Sequence, residues 1–402
     1  MSPNINSDQL KQAQALFERE FGTLPEETRA VVIHAPGRSE IAGNHTDHEG
    51  GHVIAGALDV AVTGIAVPNG TTTLRHASKG YPVYSISLED LLPRPDENQT
   101  TASLARGMAY ALAQTGRTPQ GFDIATVCDI PAGGGLSSSA AVEAAFGRAM
   151  ETLWEGPAVS AVDLAIMSQQ TECNYFGKPC GLMDQLSICL GGLAYMDFYD
   201  PDRPATAKLD YSFDEAGYAL CLVDVGCDHT PFTADYAAVP LEMQQVANAL
   251  GKKRLCEVDQ REFDARLPEL RGELGDRAIL RAIHYWHEDE LVNKRWNALQ
   301  NNDMTRFLAL TRESGASSAM YLQNVSTGGA YQPAMLALGL AERILDGQGA
   351  IRIHGGGFGG SIQAFVPVDM ADEFIRQMDD WLGKGSSRRY AIEREGAWAA
   401  WL

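Results

Sequence analysis

Apolar and polar positions alternate in two periods along this chain, and the two are mixed from end to end. Residues 8–21 carry apolar side chains at helical spacing, as do 101–115, the stretch from Ser138 to about Trp154, and 162 to about 175. Between them "AVVIHAPGR" reads as a short strand ended by Pro36-Gly37, and "GHVIAGALDVAVTGIAVP" as β-branched strands broken by glycine. "TTTLRHAS" and "YPVYSISL" alternate as a polar-faced hairpin does; "GFDIATVCDI" and "GGLAYMDF" are further strands. After a polar break at Pro201 to Pro204 come the strand "ALCLVDVG" and helices over 235–250, 279–299, 303–312 and 332–346. The chain closes with "AIRIHGGGFGGSIQAFV", a helix over 370–383 and a last strand. Helices and strands in this order predict an α+β protein of two mixed layers.

At 402 residues the chain is long enough for two domains, and the polar break places their boundary there, giving 1–204 and 205–402. Charge changes the picture more than length does. Against 32 Lys and Arg stand 52 Asp and Glu, a net charge of −20. Nucleic acid and anionic membranes both need basic surface, so neither is an expected partner. A phosphorylated small ligand remains open, held by backbone amides, a helix terminus and a metal ion more than by lysines. There is no long apolar run to span a membrane, and the polar start lacks the basic and apolar regions of a signal peptide. The seven cysteines (128, 173, 180, 189, 221, 227 and 256) form no C-x-x-C framework, which points to reduced thiols and a cytoplasmic protein. Cys173 and Cys180 lack the spacing and the second pair that a zinc site requires.

Two glycine runs compete as phosphate sites. In "DIPAGGGLSSSAAVEAAFGRAM", glycines and serines lead straight into a helix-forming segment. Glycines let the backbone aim N–H groups at one point, and the helix adds the positive end of its dipole. A lone serine would only cap the helix; three glycines followed by three serines exceed what a cap needs. The run "GGGFGG", Gly355 to Gly360, fits G-x-G-x-x-G by spacing, but "SIQAFV" after it is a strand pattern where a dinucleotide fingerprint requires a helix. A strand-to-strand loop closely approached by a ligand or another backbone fits it better. No P-loop motif occurs in the chain.

Two polar constellations remain. "APGRSEIAGNHTDHEGGHV" crowds Arg38, Glu40, Asn44, His45, Asp47, His48 and Glu49 into one glycine-punctuated segment, a density suited to reading sugar hydroxyls, while His48 and Glu49 taken singly read as parts of a solvated loop with Asx turns. In "TECNYFGKPCGLMDQLSICLGG", Glu172 ends a predicted helix and Asp184 follows a turn inside an apolar stretch. A carboxylate there is costly unless paired or used, and a cation such as Arg38 would keep it ionised.

Taken in order, these segments resemble the signature motifs of the GHMP small-molecule kinases, the galactokinase branch in particular. "GRSEIAGNHTDHEGG" resembles that branch's G-R-x-N-L-I-G-E-H-T-D-Y signature; "PAGGGLSSSAA" is similar to the nucleotide loop, "PCGLMDQ" to the segment with the catalytic Asp, and "GGGFGG" to the third motif. The resemblance implies the two-domain GHMP fold, with an N-terminal half like ribosomal protein S5 domain 2, a ferredoxin-like C-terminal half and a cleft between them. It implies a monomer that transfers phosphate from ATP to the C1 hydroxyl of a hexose, most simply galactose. Asp184 is then the catalytic carboxylate and Arg38 its partner. Gly133, Gly134, Gly135, Leu136, Ser137, Ser138 and Ser139 wrap the nucleotide phosphates, and Glu172 with Ser138 or Ser139 holds Mg²⁺. Asn44, His45, Asp47, Gly181 and Tyr236 contact the sugar beside Asp184.

The chain departs from the signature at Asn44, where galactokinases usually have a Glu for the 6-hydroxyl, at Glu40, where they have Asn, and at Ser39 and Ala42. A related or C6-altered sugar is therefore an alternative substrate. A non-catalytic galactose and ATP sensor is a second alternative, set against an intact "GLSSSAA" loop. Kinases of the mevalonate or homoserine type are a third, set against "HTD".

Overall fold

Strand β1 (Val31–Ala42) is buried at every one of its 12 positions, so it runs through the middle of the molecule and does not stop at Pro36-Gly37. It pairs antiparallel with β2 (His52–Pro68), and the register slips where Pro36 faces Ala61 and Gly37 faces Leu58. Proline has no N–H for a ladder, and a bulge is where a strand can accept one. The extra residues of β2 find partners elsewhere: Asp59 N donates to Ala391 O at 3.1 Å. The glycines of β2 do not break it either. A Cβ on Gly64 would come within 3.0 Å of Ala125 O, so that glycine marks close strand packing inside one 17-residue strand.

The structure is a computed structural model that describes residues 6–24, 29–131, 135–227, 232–326 and 328–402. Its larger sheet has the order β12-β1-β2-β5-β3-β4, built from β3 (Thr73–Ser78), β4 (Tyr84–Ser87), β5 (Phe122–Cys128) and β12 (Trp398–Trp401). A further hairpin, β6 (Leu193–Asp197) and β7 (Ala205–Leu209), joins through β2. Thus the boundary expected after residue 204 falls inside a hairpin, and the last strand returns to the first sheet beside β1. The polar break at 201–204 is a turn, not a linker: exposed turn residues and interdomain residues have the same composition.

Against this sheet lie α1 (Ser7–Phe21), α2 (Thr101–Ala113), α3 (Ser138–Leu153), α4 (Ala161–Thr171) and α5 (Met183–Leu190). The second sheet is antiparallel, β11-β8-β10-β9, made of β8 (Tyr218–Asp224), β9 (Ala350–Ile353), β10 (Ser361–Pro367) and β11 (Ser387–Tyr390). It is packed by α10 (Pro333–Leu345) and α11 (Ala371–Leu382). The remaining helices are α6 (Thr233–Ala249), α7 (Gln260–Leu274), α8 (Asp276–Gln300) and α9 (Met304–Ser317): α8 packs on β1 and β2, α9 on β9, and α6 and α7 on α8. Helix α7 escapes the apolar pattern because only Phe263 and Leu270 are buried, and Pro268 interrupts its middle. The main core is continuous across the molecule, joining Ile41 and Val53 of the first sheet to Leu220, Phe307 and Phe365.

Candidate active site

Four segments far apart in the chain meet at one carboxylate. Asp184 lies in the first turn of α5, where the helix dipole favours negative charge. Arg38, on β1 just past its bulge, grips it in two-pronged fashion: Nε donates to Oδ1 at 2.7 Å and Nη2 to Oδ2 at 2.6 Å. The same guanidinium donates through Nη1 to Gly135 O, and the Arg38 backbone N donates to Leu136 O at 3.2 Å. So the glycine-serine loop is laced to β1 at both levels. Burial alone would raise the Asp184 carboxyl, but the charge of Arg38, its hydrogen bonds and one from Ser137 outweigh burial and hold it below the usual aspartate value. With 31% of its side chain exposed, Asp184 is an ionised acceptor open to the cleft.

Ser137 is the residue that decides what the loop is for. It stands at the N-cap of α3 with φ 57° and ψ 57°, a left-handed backbone that costs a non-glycine residue energy. Its hydroxyl caps nothing among the described residues and donates to Asp184 Oδ2 instead. The first bond inside the helix is Ala141 N to Ser137 O at 3.1 Å, which leaves the N–H groups of the first turn aimed outward, an arrangement suited to an anion. Leu136 faces the other way, buried at 2% exposure in the main core, and anchors the loop. Gly133 and Gly134 lie outside the described residues.

Two residues into α3, Ser139 Oγ donates to Glu172 Oε1 at 3.0 Å, while Ser138 stands exposed at the helix start. Glu172 opens a π-helical turn, Glu172–Phe176, at the end of α4, a widening that often marks a functional position. Lys178 Nζ is 3.3 Å from its Oε1, and Gln185 Nε2 donates to its Oε2 at 2.7 Å. The Glu172 carboxyl and the serine hydroxyls form an all-oxygen set of the kind that accepts Mg²⁺ together with substrate phosphates. Lys178 and Gln185 stand within the "GKPCGLMDQ" stretch, yet nothing in its pattern shows that they face Glu172.

The polar loop after β1 forms the other wall. His45 takes a left-handed φ of 60°. Its Nε2 lies 3.0 Å from Gly356 O and its Nδ1 3.2 Å from His48 Nε2. A carbonyl only accepts, so Nε2 carries the proton and Nδ1 is the acceptor. Burial, then the neighbouring His48, push its pKa down to about 3, so the ring is neutral at physiological pH. Asp47 packs on the Asp184 segment: a Cβ on Gly181 would sit 2.7 Å from Asp47 Oδ2, which is why that position carries no side chain. Burial raises the Asp47 carboxyl, opposed by His48. Tyr236 of α6 lies 5.6 Å ring to ring from His45; burial, then the carboxylates of Asp47 and Asp184, push its hydroxyl up to about 12. Arg38, His45, Asp47, Gly181, Asp184 and Tyr236 thus share one cleft with the loop at Ser137.

Asn44 is the exception among the expected sugar contacts. It has no exposed surface. Its Nδ2 donates to Gly355 O and, at 3.4 Å, to Glu40 Oε1, and its Oδ1 accepts from Asn324 at 2.6 Å. Glu40 in turn pairs with Arg352, which is fully buried. Two of the four departures from the signature, Asn44 and Glu40, therefore touch each other, inside a polar junction between β1 and the Gly355–Gly360 loop. That loop joins β9 to β10, as its strand pattern implies, and Phe358 N donates to Asn324 O at 2.6 Å. Asn324, Arg352 and His284, whose Nε2 lies 3.0 Å from Asn44 O, are site-framing residues that the sequence reading did not single out; all three are buried polar groups without a motif.

Known proteins resemble this chain in sequence and in fold. Residues 103–192 match the model of the GHMP kinases N-terminal domain, and residues 15–68 match the galactokinase galactose-binding signature. A galactokinase of Haemophilus influenzae strain Rd is 30% identical over 92% of this chain and 93% of its own length. One from Glaesserella parasuis is 29% identical over 90% of both chains. In fold, the chain resembles Lactococcus lactis galactokinase solved with galactose, with a TM-score of 0.81 at 22% identity over 96% of this chain and 99% of that one. The mevalonate kinase of Methanococcus jannaschii shares the fold more loosely, with a TM-score of 0.64 at 14% identity over 92% of this chain and 99% of that one. The chain is a sugar kinase, and it belongs to the galactokinase family of GHMP kinases.

Proposed function

We propose that this protein transfers the γ-phosphoryl group of ATP to the C1 hydroxyl of galactose, in the cleft between Ser137, Asp184 and His45. The observation that carries the reading is the Arg38–Asp184–Ser137 cluster, which joins an uncapped helix N-terminus to a carboxylate that is ionised and accessible. Phosphoryl transfer needs positioning and charge neutralisation more than covalent help from the protein. The N–H groups at the start of α3 bind the nucleotide phosphates, and Arg38 lies where charge on the transferring group develops. Asp184 accepts a hydrogen bond from the attacking hydroxyl and takes its proton as the bond to phosphorus forms. Asp47, His45 and Tyr236 orient the sugar, the neutral His45 ring doing so without a charge to neutralise. Glu172, with Ser139 or Ser138, would hold Mg²⁺, which supplies charge neutralisation on the phosphates.

The position that departs most from the signature bears on which hexose fits best. Because the Asn44 amide is engaged by Glu40, Gly355 and Asn324, it offers at most one free lone pair to a 6-hydroxyl. That favours, as a second reading, tolerance of sugars altered at C6. An ADP-release assay over galactose, 6-deoxygalactose, galactosamine, arabinose and glucose tests both. Galactose is expected to give the highest kcat/KM, with 6-deoxygalactose close behind. ADP release independent of any of these sugars would overturn the assignment.

A further inference from the structure

The reaction assigned to the cleft makes no use of Cys173 and Cys180, and their spacing does not suit zinc. The fold nevertheless brings the two sulfurs to 4.0 Å from each other. Cys173 lies in the π-helical turn that Glu172 opens, and Cys180 follows the exposed residues 177–179, so both thiols are half-buried at the edge of solvent. One amide ties the pair together: Gln169 Nε2 donates to Cys173 Sγ at 3.5 Å and to Cys180 O at 3.0 Å. Cys180 Sγ in turn donates to Glu172 Oε2 at 3.4 Å, the oxygen that also accepts from Gln185. A disulfide is about 2.05 Å long, so the sulfurs need to close by only about 2 Å.

We propose that Cys173 and Cys180 are a modification site, which a hydroperoxide converts to a reversible disulfide. With the Cys180 S–H engaged by Glu172, the Cys173 sulfur attacks the peroxide first. Its S–O bond forms, the O–O bond breaks, and the leaving oxygen departs as water with the Cys173 proton, leaving a sulfenic acid. The Cys180 sulfur then attacks the Cys173 sulfur: the S–S bond forms, the S–O bond breaks, and the hydroxyl leaves as water with the Cys180 proton. Two thiols thus lose two electrons and two protons, and hydrogen peroxide becomes two waters. A thiol in excess reverses the step by exchange. Closure takes the Cys180 hydrogen bond from Glu172 and draws on Gly181, which packs against Asp47 at the start of the turn to Asp184. Cys180 is in this way a positioning residue, and turnover falls on oxidation, a consequence that rests on the roles proposed for Glu172 and Asp184.

Mass mapping of the intact protein tests the site after treatment with hydrogen peroxide, alkylation of the remaining thiols and cleavage with chymotrypsin. Tyr175 and Phe176 lie between the two cysteines, so the cut fragments are expected to stay joined through sulfur in the oxidised protein alone. In Cys180→Ser, dimedone is expected to label Cys173 as the trapped sulfenic acid. Both thiols left alkylated, sulfinic acid without pairing, or pairing with other cysteines would overturn the site, and dimedone on another cysteine would overturn the order of steps. Sugar-dependent ADP release is expected to fall about tenfold on pairing and to return with dithiothreitol, while Cys173→Ser resists peroxide. Complete pairing with unchanged turnover would overturn the coupling to the cleft. Since mass mapping needs no turnover, failure of the assigned reaction shows separately, as absent sugar-dependent ADP release in the reduced protein.

Discussion

Ser137 occupies the cap position of α3 but directs its hydroxyl to Asp184, so the helix N-terminus proposed to hold the nucleotide is tied to the carboxylate proposed to act on the sugar. On that proposal, one hydrogen bond links the two halves of the reaction. Replacing Ser137 with Ala is expected to lower kcat about tenfold, because a charge-assisted bond is worth about 1.5–3 kcal/mol and part of it is replaced by water. Since no cap is lost, the melting free energy should change by less than about 0.5 kcal/mol. A large stability loss with unchanged kcat would show that Ser137 serves the helix instead.

Asp184→Asn should leave ATP binding nearly unchanged in a fluorescent-nucleotide titration while kcat falls by about 10²–10⁴. Near-normal turnover would remove Asp184 from the role of proton acceptor.

The depressed pKa of Asp184 fixes a pH dependence. A carboxyl held below its ordinary value stays ionised, and contributes its stability, above that value; both are lost only as pH falls through the folded pKa. The acid limb of kcat/KM should therefore lie below about pH 4. In Arg38→Gln the opposing burial is no longer outweighed by that cation, and the limb, in whatever activity remains, should move upward. A limb at the same pH in both proteins would assign it to another group.

Glu143, one turn beyond Ser139, gives the opposite sign. Burial, then the neighbouring Glu172, push its carboxyl well above the usual glutamate value, and its Oε1 has no partner among the described residues. The folded chain therefore keeps a proton that the unfolded chain releases above about pH 4.3, so stability falls as pH rises from there toward the folded pKa. Glu143→Gln carries no such proton, and its melting temperature should fall less between pH 5 and pH 8 than that of the parent. Parallel curves would contradict this.

Asn44→Asp moves toward the charge of the family signature but should not restore it. The substitution removes the donor to Gly355 O and sets a second carboxylate against Glu40. A stability loss of about 1–3 kcal/mol is expected, read by urea denaturation. Unchanged stability with tighter galactose binding would show that Asn44 faces the sugar freely.

Much of this protein was legible before folding. Helix periodicity placed α1, α2, α3 and α8, although α2 and α3 are covered nearly all round, with 103–109 and 143–147 buried without a break. Asp184, Arg38 and the serine loop were readable because their chemistry stands out: a carboxylate in apolar surroundings, a cation to match it, and more glycines and serines than a cap requires. The strand bounds of β1 and β2 were not, since proline and glycine mark both turns and bulges, and only the neighbouring strand distinguishes them.

The residue types and their order along the chain thus determined the class of fold, the family and the kind of chemistry, because these depend on local propensity and on side chains whose properties travel with them. Which partner each of those side chains meets was decided by tertiary structure alone. Ser137 reaches Asp184 rather than its own helix, and Asn44 is turned toward Glu40 and Asn324, because hydrogen-bond partners are chosen by distance in space and sequence spacing does not encode it.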